Sequence, residues 1–513
     1  MQLGFVIDHA RCIGCHACTV ACKSENQVPV GSFRTWVKHT ESGSFPAVKR
    51  SFAVLRCNQC SSAPCVHICP VRALAKRGDG IVDVDPRLCI GCKGCLQACP
   101  YDALYINDAT GTAEKCHFCA HRTELGLAPA CAVVCPTEAI IPGDFQDPAS
   151  LVSRLKANGG LTARKTEAGT GPNVYYRDVA EHAIEPLQAN AAGGSIWASR
   201  SAGGPRHEAE LYEALEGKAR ARTVYDVAHP VAWRSKVVSY LYTKSLAAGV
   251  VPAAALAWGA EGGWVQGPRL GYAIVPLLAL VLLLATTVLL VADLKRPARF
   301  LYILTSPNWT SWIAKGTLVL MGYACLLSTW LAVDLAGISL SRTAALVLFA
   351  VTVVLGLLTA AYTAFLFGQA RGRPLWMKRG LGWHLVAQAG VAGCALLLVA
   401  GPWLAPARDG RALLELGLAL SLAAHLAFML LESRLAPRRR EEEYRRAAAL
   451  VTHGPFARVH WLGSVLLGAL IPLGLIAMPG SAALSALAGL AALIGLYLSE
   501  RNFVLAGQAL PIS

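Results

Sequence analysis

The 513-residue sequence predicts two parts of different fold class: an α+β domain rich in cysteine, followed by an all-α membrane bundle of eight transmembrane helices. Two observations lead to this prediction. Hydrophobic residues make up 54% of the sequence and charged residues only 15%, which is typical of a protein with membrane spans. Sixteen of the 18 cysteines lie between Cys12 and Cys135, whereas long apolar runs begin only after residue 234. The apolar fraction excludes a disordered chain, and the long hydrophobic part argues against a secreted disulfide scaffold.

The composition also predicts the boundaries of the parts. We expect the first domain at residues 1–188, a linker at 189–235 and the membrane bundle at 236–513. The stretch from about residue 142 to 234 is polar and rich in Gly, Ala and Arg, which is typical of a domain extension followed by a linker. The sequence begins MQLGFVIDHARC, with no apolar segment and no twin arginine, so we expect no cleavable export signal.

Eight apolar runs after residue 234 predict the transmembrane helices. Each is near the ~20 residues that cross the hydrocarbon core of a bilayer. Buried helices of a soluble domain are a poor alternative, because eight successive apolar runs would leave no polar surface. The predicted spans are 237–258, 270–292, 311–333, 343–367, 381–403, 412–431, 456–478 and 481–499.

The loops between these spans predict the orientation of the protein. The loops after spans two, four and six hold 13 basic residues, namely Lys295, Arg296, Arg299, Arg371, Arg373, Lys378, Arg379, Arg434, Arg438, Arg439, Arg440, Arg445 and Arg446. The alternate loops hold only Arg269, Arg342, Arg408 and Arg411. Because Lys and Arg mark cytoplasmic loops, we expect both termini and the cysteine domain in the cytoplasm. These loops also account for much of the net charge of +15, so we expect no nucleic-acid partner.

The sixteen cysteines form four quartets of defined spacing. The first is Cys12-x2-Cys15-x2-Cys18-x3-Cys22, and the third repeats it as Cys89, Cys92, Cys95 and Cys99. The second is Cys57-x2-Cys60-x4-Cys65-x3-Cys69, and the fourth is Cys116-x2-Cys119-x11-Cys131-x3-Cys135. Pro70, Pro100 and Pro136 follow three of the closing cysteines.

This spacing indicates iron–sulfur clusters. In the bacterial ferredoxin arrangement, three closely spaced thiolates hold one cubane, and the fourth, one helical turn on, reaches a neighbouring cluster. Sixteen ligands therefore predict four [4Fe–4S] clusters in a ferredoxin-like domain. Zinc also binds Cys-x2-Cys pairs, but its sites seldom place three cysteines within seven residues and a fourth before proline.

The four quartets, including the x4 and x11 insertions, resemble the iron–sulfur subunit of molybdopterin oxidoreductases such as DMSO, polysulfide and tetrathionate reductases. The segment GTGPNVYY at 169–176 is similar to the C-terminal segment of that subunit. The membrane half resembles the quinone-reactive anchor of the same complexes, on the segments DLKRPARF at 293–300 and SPNWTSW at 306–312. In relatives the two halves are usually separate polypeptides, so the sequence resembles a natural fusion of both.

The resemblance implies how the cysteines pair, which spacing alone leaves open. Group I is Cys12, Cys15, Cys18 and Cys135, and group II is Cys22, Cys116, Cys119 and Cys131. Group III is Cys57, Cys60, Cys65 and Cys99, and group IV is Cys69, Cys89, Cys92 and Cys95. Many relatives are exported with a twin-arginine catalytic subunit. The predicted topology instead favours the cytoplasm-facing members, among which sulfite-oxidising complexes are similar.

Ionisable side chains inside the spans are candidates for a quinone site, because burying them in lipid costs free energy. A quinone exchanges protons at its two carbonyl oxygens, which His, Asp and Lys can donate or accept. Helix ends on the side of the clusters also satisfy the need for close electron transfer. The candidates are Lys244, Asp293, His384, His425 and His460. The alternatives are interfacial snorkelling, a helix–helix hydrogen bond at His425 and an ion pair of Asp293 with Arg296.

The three histidines also raise the question of a haem b, since a bis-histidine haem takes one ligand from each of two helices. The spans offer no second tier of histidines near the opposite face, so we expect no haem ladder and favour no haem over one. Cys325 and Cys394 are single thiols within spans and are expected to be packing residues.

These observations predict a subunit that passes electrons between the quinone pool, menaquinone or ubiquinone, and a partner protein. The sequence has no recognisable pterin-binding domain or nucleotide fingerprint, so we expect the substrate chemistry on a separate molybdopterin-containing catalytic subunit. One alternative is a redox subunit of an ion-translocating quinone complex, which the scarcity of acidic residues deep in the spans disfavours. A second alternative is a zinc-containing membrane scaffold.

Overall fold

A computed structural model of the protein describes residues 1–190, 221–259, 269–338, 340–404, 408–478 and 481–513. The cysteine-rich part and the membrane part fold as expected into an α+β domain and a helical bundle. Most of the predicted linker, residues 191–220, lies outside the described residues.

Two sheets and two hairpins form the frame of the cysteine domain. In the first sheet, β1 (Leu3–Asp8) lies between β8 (Ile140–Asp144), which is antiparallel to it, and β9 (Val174–Arg177), which is parallel. The central strand is apolar because both its faces are covered, and Phe5 and Ile7 have no exposed surface. The hairpins pair β4 (Leu74–Lys76) with β5 (Val82–Val84) and β6 (Leu104–Asn107) with β7 (Thr112–Lys115).

The second sheet includes residues from the predicted linker at 189–235. Its strand order is β10 (Ala189–Asn190), β11 (Ala221–Tyr225), β2 (Thr35–Ser42) and β3 (Lys49–Arg56). Residues 189–190 and 221–225 of the predicted linker are therefore strands of the cysteine domain, whereas residues 226–234 contain neither helix nor strand, and the linker boundaries stay a prediction. The polar, alternating side chains of β11 suit a sheet with one solvated face, and this resembles a linker composition.

The helices of the cysteine domain are short; the first five carry or adjoin cysteines of the four motifs, and the last two follow β8 and β9. They are α1 (Ala17–Glu25), α2 (Pro64–Ile68), α3 (Gly94–Ala98), α4 (Ala120–Thr123), α5 (Ala130–Val133), α6 (Leu151–Ala157) and α7 (Glu181–Ile184). The two repeated motifs have the same backbone: Gly14 and Gly91 both have φ of +69°, and the residues before α1 and α3, His16 and Lys93, have φ of 60° and 63°. Glycine suits this left-handed turn because it has no Cβ.

The membrane bundle has a helix at each of the eight predicted positions. In sequence order, with two short helices outside the spans, they are α8 (Ser235–Gly259), α9 (Arg269–Asp293), α10 (Tyr302–Thr305), α11 (Trp312–Leu335), α12 (Arg342–Gln369), α13 (Leu381–Leu404), α14 (Arg408–Leu430), α15 (Glu441–Thr452), α16 (Val459–Ala477) and α17 (Ala482–Gly507). Within the described residues, seven helices are long and apolar enough to span a membrane, and α8 is not one of them. It carries Lys236 and Lys244, yet it lies in the core of the bundle. That α8 also crosses the membrane stays a prediction.

Glycines bring the helices close together. A Cβ placed on Gly249 of α8 would lie 1.8 Å from the carbonyl oxygen of Ala389 in α13. A Cβ on Gly495 of α17 would lie 1.9 Å from the Cα of Gly468 in α16. Membrane helices associate through such small residues, because lipid provides no hydrophobic drive for association. The close packing fixes which side chains meet inside the bundle.

The cysteine domain lies on the end of the bundle that carries the basic loops. Ser311, which caps α11, donates its hydroxyl to the carbonyl oxygen of Ile68 at 2.6 Å. The Asn308 amide donates to the carbonyl oxygens of Val66 at 3.0 Å and of Cys69 at 2.8 Å. These contacts hold the loop before α11 directly against the second cysteine motif.

Basic loop residues contribute to this docking. Lys295 forms an ion pair with Asp108 at 3.0 Å, and Arg299 donates to the carbonyl oxygen of Cys89 at 3.0 Å. Arg373 donates to Gln97 at 2.8 Å. In all, six of the 13 basic residues bond to the cysteine domain, namely Lys295, Arg296, Arg299, Arg371, Arg373 and Arg446. Part of the positive charge of these loops thus has a structural cause besides membrane orientation.

Candidate functional site

The cysteines of group I come together at the surface of the domain. Burial raises the pKa of Cys12, and negative charge on Cys135 and Cys15 raises it further. Cys18 lies close enough to Cys12 for the same effect. Cys15 is exposed, whereas Cys18 is buried, so this group connects the surface with the interior.

Group II is buried and surrounds a cavity. The cavity is lined by Cys22, Cys116, Cys119 and Cys131, all four members of the group. Burial raises the pKa of Cys22, and the charges of the other three cysteines raise it further. The residues come from α1, α5 and the loop after β7, so three distant segments meet at one point.

Group III is also assembled from distant segments. Burial raises the pKa of Cys60 well above its usual range, and Cys57, Cys65 and Cys99 add to this rise. All four thiols are buried. Cys99 closes the third sequence quartet, so it contributes to a different group from its three neighbours in sequence.

Group IV lies next to the membrane bundle. Its members Cys69, Cys89, Cys92 and Cys95 line one cavity, together with apolar side chains such as that of Ile90. Burial raises the pKa of Cys95, and the other three cysteines raise it further. The cysteines that the resemblance assigns to one group thus lie near one another in each of the four cases, and that each group holds one cluster stays a prediction.

The groups lie in numerical order across the domain. Cys18 of group I is near Cys131 of group II, as shown by the rise that Cys131 causes in the pKa of Cys18, after burial and a lowering by Arg56. Cys57 of group III is near Cys116 of group II, and Cys95 of group IV is near Cys65 of group III. The order I–II–III–IV runs from the surface to the membrane bundle.

The thiol geometry fits iron–sulfur clusters. The backbone N–H of Ala113 donates to the sulfur of Cys89 at 3.4 Å, and that of Ala139 donates to Cys135 at 3.3 Å. Such donors stabilise cluster thiolates. Among the residues that the structure describes, no three His, Cys, Asp or Glu side chains are arranged to hold a single metal ion.

A large apolar cavity of about 640 Å³ adjoins group IV inside the bundle. Cys92 and Ile90 form its end at the cysteine domain, and Trp233 lies beside them, donating its indole N–H to the carbonyl oxygen of Cys92 at 3.3 Å. Thr317, Leu320, Met321 and Ala324 line it from one stripe of α11. Leu277, Val281, Leu284 and Met321 also face lipid with about half of their surface exposed, so the cavity opens sideways toward the bilayer.

Asp293 is the predicted site residue that lines this cavity. Its carboxylate forms an ion pair with Lys93 at 2.7 Å, and Lys93 directly follows Cys92. The predicted partner Arg296 instead donates to the carbonyl oxygen of Thr110. Tyr240 and Tyr362 also line the cavity; sequence reasoning missed both, because tyrosine in an apolar run carries no signal.

Lys244 is fully buried behind the cavity wall. Its ammonium group donates to the carbonyl oxygen of Ala360 at 2.9 Å and to the Thr363 hydroxyl at 2.5 Å. Its charge interacts with Glu500, which accepts a hydrogen bond from Ser245 at 3.0 Å. Glu500 was missed because the predicted span ends at residue 499, whereas α17 continues to Gly507.

The three predicted histidines lie elsewhere. His384 and His460 line a second, small cavity of about 40 Å³ together with Lys378 and Glu432, and His425 is hydrogen bonded to His384 at 2.8 Å. The N-terminal part of α16, which carries His460, is a π-helix over Val459–Leu470, a form that often marks functional positions. The five predicted quinone residues therefore divide between two places.

The histidine pair does not fit a haem. An iron atom between two imidazole nitrogens needs a separation of about 4 Å, since metal–nitrogen bonds are roughly 2 Å long. The nitrogens of His384 and His425 are 2.8 Å apart and share a hydrogen bond. Both side chains are buried, so this hydrogen bond is shielded from water.

Comparisons with known proteins cover both parts of the sequence. Residues 223–511 match the family described as polysulphide reductase, NrfD, and residues 48–145 match the 4Fe-4S dicluster domain. A tetrathionate reductase subunit of Salmonella typhimurium is 45% identical over 195 residues, covering 37% of this chain and 78% of the relative. A polysulfide reductase chain of Wolinella succinogenes is 38% identical over 177 residues, 34% of this chain and 93% of the relative. The arsenate respiratory reductase iron-sulfur subunit ArrB of a Shewanella species is 37% identical over 226 residues, 34% of this chain and 96% of the relative.

Proposed function

The protein belongs to the NrfD polysulphide reductase family, fused to an iron–sulfur subunit of the same class of complexes, and from this we propose that it is the electron-transfer and membrane-anchor subunit of a molybdopterin oxidoreductase. It passes electrons between the quinone pool and a separate catalytic subunit. The observation that carries the proposal is the continuous path from the exposed group I to the membrane cavity beside group IV.

The sixteen cysteines are proposed to hold four [4Fe–4S] clusters, one for each group. When bound, such clusters supply one-electron redox chemistry without proton transfer. The protein supports them with buried thiols and backbone N–H donors, and the four cysteines of group II and the four of group IV each line a cavity of their own. Cysteines of neighbouring groups lie close enough for the charge of one to change the pKa of the other, which supports short electron-transfer steps between the clusters.

The large cavity is proposed as the quinone site. Its volume suits a ring and the first part of an apolar tail, and its lateral opening faces the bilayer from which a quinone enters. Oxidation of a quinol to a quinone releases two electrons and two protons. Cys92 brings group IV to the cavity wall, where the two electrons leave one after the other, and Asp293, whose side chain is 16% exposed, accepts the two protons in turn and releases each to solvent.

The catalytic partner is proposed to bind over group I. Cys15 is exposed there, and four apolar side chains of the same segments, Ile13, Val20, Val133 and Val134, are also exposed. Exposed apolar patches of this kind mark protein interfaces. A molybdopterin subunit that covers them places its own redox centre beside the outermost cysteine group.

The cysteine domain is proposed to face the cytoplasm. Seven basic residues of the loops on its side have no bond to the described residues of the domain, against four basic residues on the opposite face, which supports this orientation. Single cysteines at Arg438 and Arg342 test it with a membrane-impermeant maleimide on intact cells. Labelling of Arg342→Cys alone is expected, and labelling of Arg438→Cys alone reverses the orientation.

Blocking the cavity tests the quinone site. The full chain in nanodiscs is mixed with a short-chain naphthoquinol, and reduction of the clusters is followed by the loss of visible absorbance. Ala324→Phe fills the cavity and is expected to slow reduction at least tenfold, whereas Leu318→Phe on the lipid-facing side of the same helix is not. Equal rates in the two variants, with normal iron content, would contradict the site.

One observation favours a second function, a redox subunit that also translocates ions. Glu500 and Lys244 are buried charges in neighbouring helices, and one carboxylate oxygen of Glu500 has no hydrogen-bond partner in the described part of the protein. Vesicles containing the whole complex discriminate the two functions. Proton release beyond the two per quinol, lost in Glu500→Gln, supports translocation, and a ratio unchanged by that variant opposes it.

A further inference from the structure

Two cations are buried between neighbouring cysteine groups. The first is Arg56, at the end of β3, which has no exposed surface. One of its terminal nitrogens donates to the sulfur of Cys131 at 3.2 Å, and its guanidinium lies 4.4 Å from the centre of the Phe5 ring. Its other nitrogens have no hydrogen-bond partner in the described residues, although a buried guanidinium normally has several.

The position of Arg56 is between groups I and II. Burial lowers its pKa, but Cys131, Cys116 and Cys18 together raise it above the usual value. In return, the charge of Arg56 lowers the pKa of Cys18 and of Cys22, opposing the effect of burial. The side chain therefore presents one positive charge to thiolates of two different groups, and no carboxylate in the described part of the chain is paired with it.

The second cation, Lys115, occupies the equivalent place between groups II and III. It is 2% exposed, and its ammonium group donates to the carbonyl oxygens of Cys116, at 2.8 Å, and of Val82. After burial, its charge is the largest influence on the pKa of Cys57, which it lowers, and it also lowers that of Cys65. Asp83 is the carboxylate that acts on it, more weakly than the thiolates of Cys57, Cys116 and Cys65.

Group IV has no such free cation among the described residues. Lys93 lies beside Cys92, but the Asp293 carboxylate neutralises it at 2.7 Å. Group II thus faces two buried cations and groups I and III face one each, whereas the cations near group IV are the paired Lys93 and the partly exposed Arg299, which donates to the carbonyl oxygen of Cys89. In a low-dielectric interior, a fixed charge at this range changes the free energy of adding an electron substantially.

We propose that Arg56 and Lys115 set the order of reduction potentials, so that the cluster of group II has the highest potential and that of group IV the lowest among the buried groups. This inference rests on the proposed function, since it requires clusters at the four cysteine groups. Each added electron is a negative charge that the cations stabilise where it resides. An electron on the protein is therefore held away from the quinone cavity, which keeps it from returning to a quinone.

Redox titrations followed by EPR on the full chain in detergent test the inference. Arg56→Met is expected to lower the potentials of groups I and II and to leave group IV unchanged. Lys115→Met is expected to lower those of groups II and III and to leave group I unchanged. Arg56→Lys and Lys115→Arg keep the charge and are expected to keep the potentials. Asp293→Asn frees Lys93 and is expected to raise the potential of group IV alone.

The control is Arg87→Gln, which removes an exposed cation two residues from Cys89 and is expected to change no potential. Iron content and EPR line shape report whether each variant keeps its clusters, and fewer than four clusters in the unmodified protein would contradict the proposed function itself. With four clusters present, potentials that do not move in either methionine variant, or that all move equally, would overturn the inference.

Discussion

The two cavities of the membrane bundle differ in size, lining and position. The large cavity is almost wholly apolar, opens toward lipid and ends at Cys92 of group IV. The small cavity has apolar walls too, but its lining also holds His384, His460 and the ion pair of Lys378 with Glu432 at 2.9 Å. A quinone needs apolar space and a short distance to a redox centre more than it needs many titratable groups. The three histidines that the sequence offered as quinone residues therefore lie outside the proposed quinone site.

The largest effect is expected from removing the group that adjoins the large cavity. Cys92→Ser takes one thiolate from group IV, so we expect loss of cluster reduction by quinol, while dithionite still reduces the remaining clusters. The control is Cys394→Ala, a buried thiol in α13 outside the four groups. Reduction by quinol at the normal rate in Cys92→Ser would mean that electrons enter elsewhere, and the small cavity would then be the stronger candidate.

Asp293 provides the next test of the comparison. Asn at this position keeps the shape but cannot accept a proton, so we expect quinol oxidation to slow by about 10²-fold, within the range for a lost general base. The measurement is stopped-flow reduction of the clusters at saturating quinol. Glu415→Gln, which changes a carboxylate of α14 that bonds to Ser485 rather than to the large cavity, is the matched control. Equal slowing in both variants would remove Asp293 from the site.

The cysteine groups were predictable because their ligands are close together in sequence. Three cysteines within seven residues and a fourth one turn later define a cluster motif without any knowledge of packing. The spans were predictable for a similar reason, since twenty apolar residues have few alternatives to a membrane helix. The fold class and the cluster ligands therefore follow from local pattern alone.

The membrane site was not predictable, because helix packing decides which residues meet. Tyr240 and Tyr362 lie more than a hundred residues apart, and their helices approach closely at Gly356 of α12, where a Cβ would lie 3.2 Å from the carbonyl oxygen of Ala248 in α8. The role of the basic loop residues was not predictable from the sequence either. Arg299 and Arg373 count as orientation signals in the sequence, yet both bond to the cysteine domain.

Acid conditions limit the pH range in which the two cavities can be compared. Burial lowers the pKa of His9 to about 4, and its ring nitrogen accepts the N–H of Val54 at 3.1 Å. A histidine with a lowered pKa stabilises the fold above its unfolded value of about 6.5 and loses that contribution as the pH falls toward 4. We expect a loss on the order of 1 kcal/mol at pH 5.5 relative to pH 8, seen as earlier thermal loss of the visible absorbance. His9→Gln should lose less over the same range, and an identical pH dependence in that variant would assign the acid lability to other groups.

The smallest effect on quinol oxidation is expected at His425, and it tests whether the histidines near the small cavity take part in the reaction. Its imidazole is hydrogen bonded to His384, and neither histidine lines the large cavity. His425→Phe keeps the size of the ring, so we expect quinol oxidation to change less than about threefold, which is under 1 kcal/mol. A much larger loss, with iron content and Leu318→Phe normal, would place proton transfer at the histidines. Asp293 lines the large cavity, whereas His425 is bonded to His384 of the small one. If the two sites are independent, the effects of the two substitutions on quinol oxidation will add in a double variant. A non-additive effect would join the two cavities into one pathway.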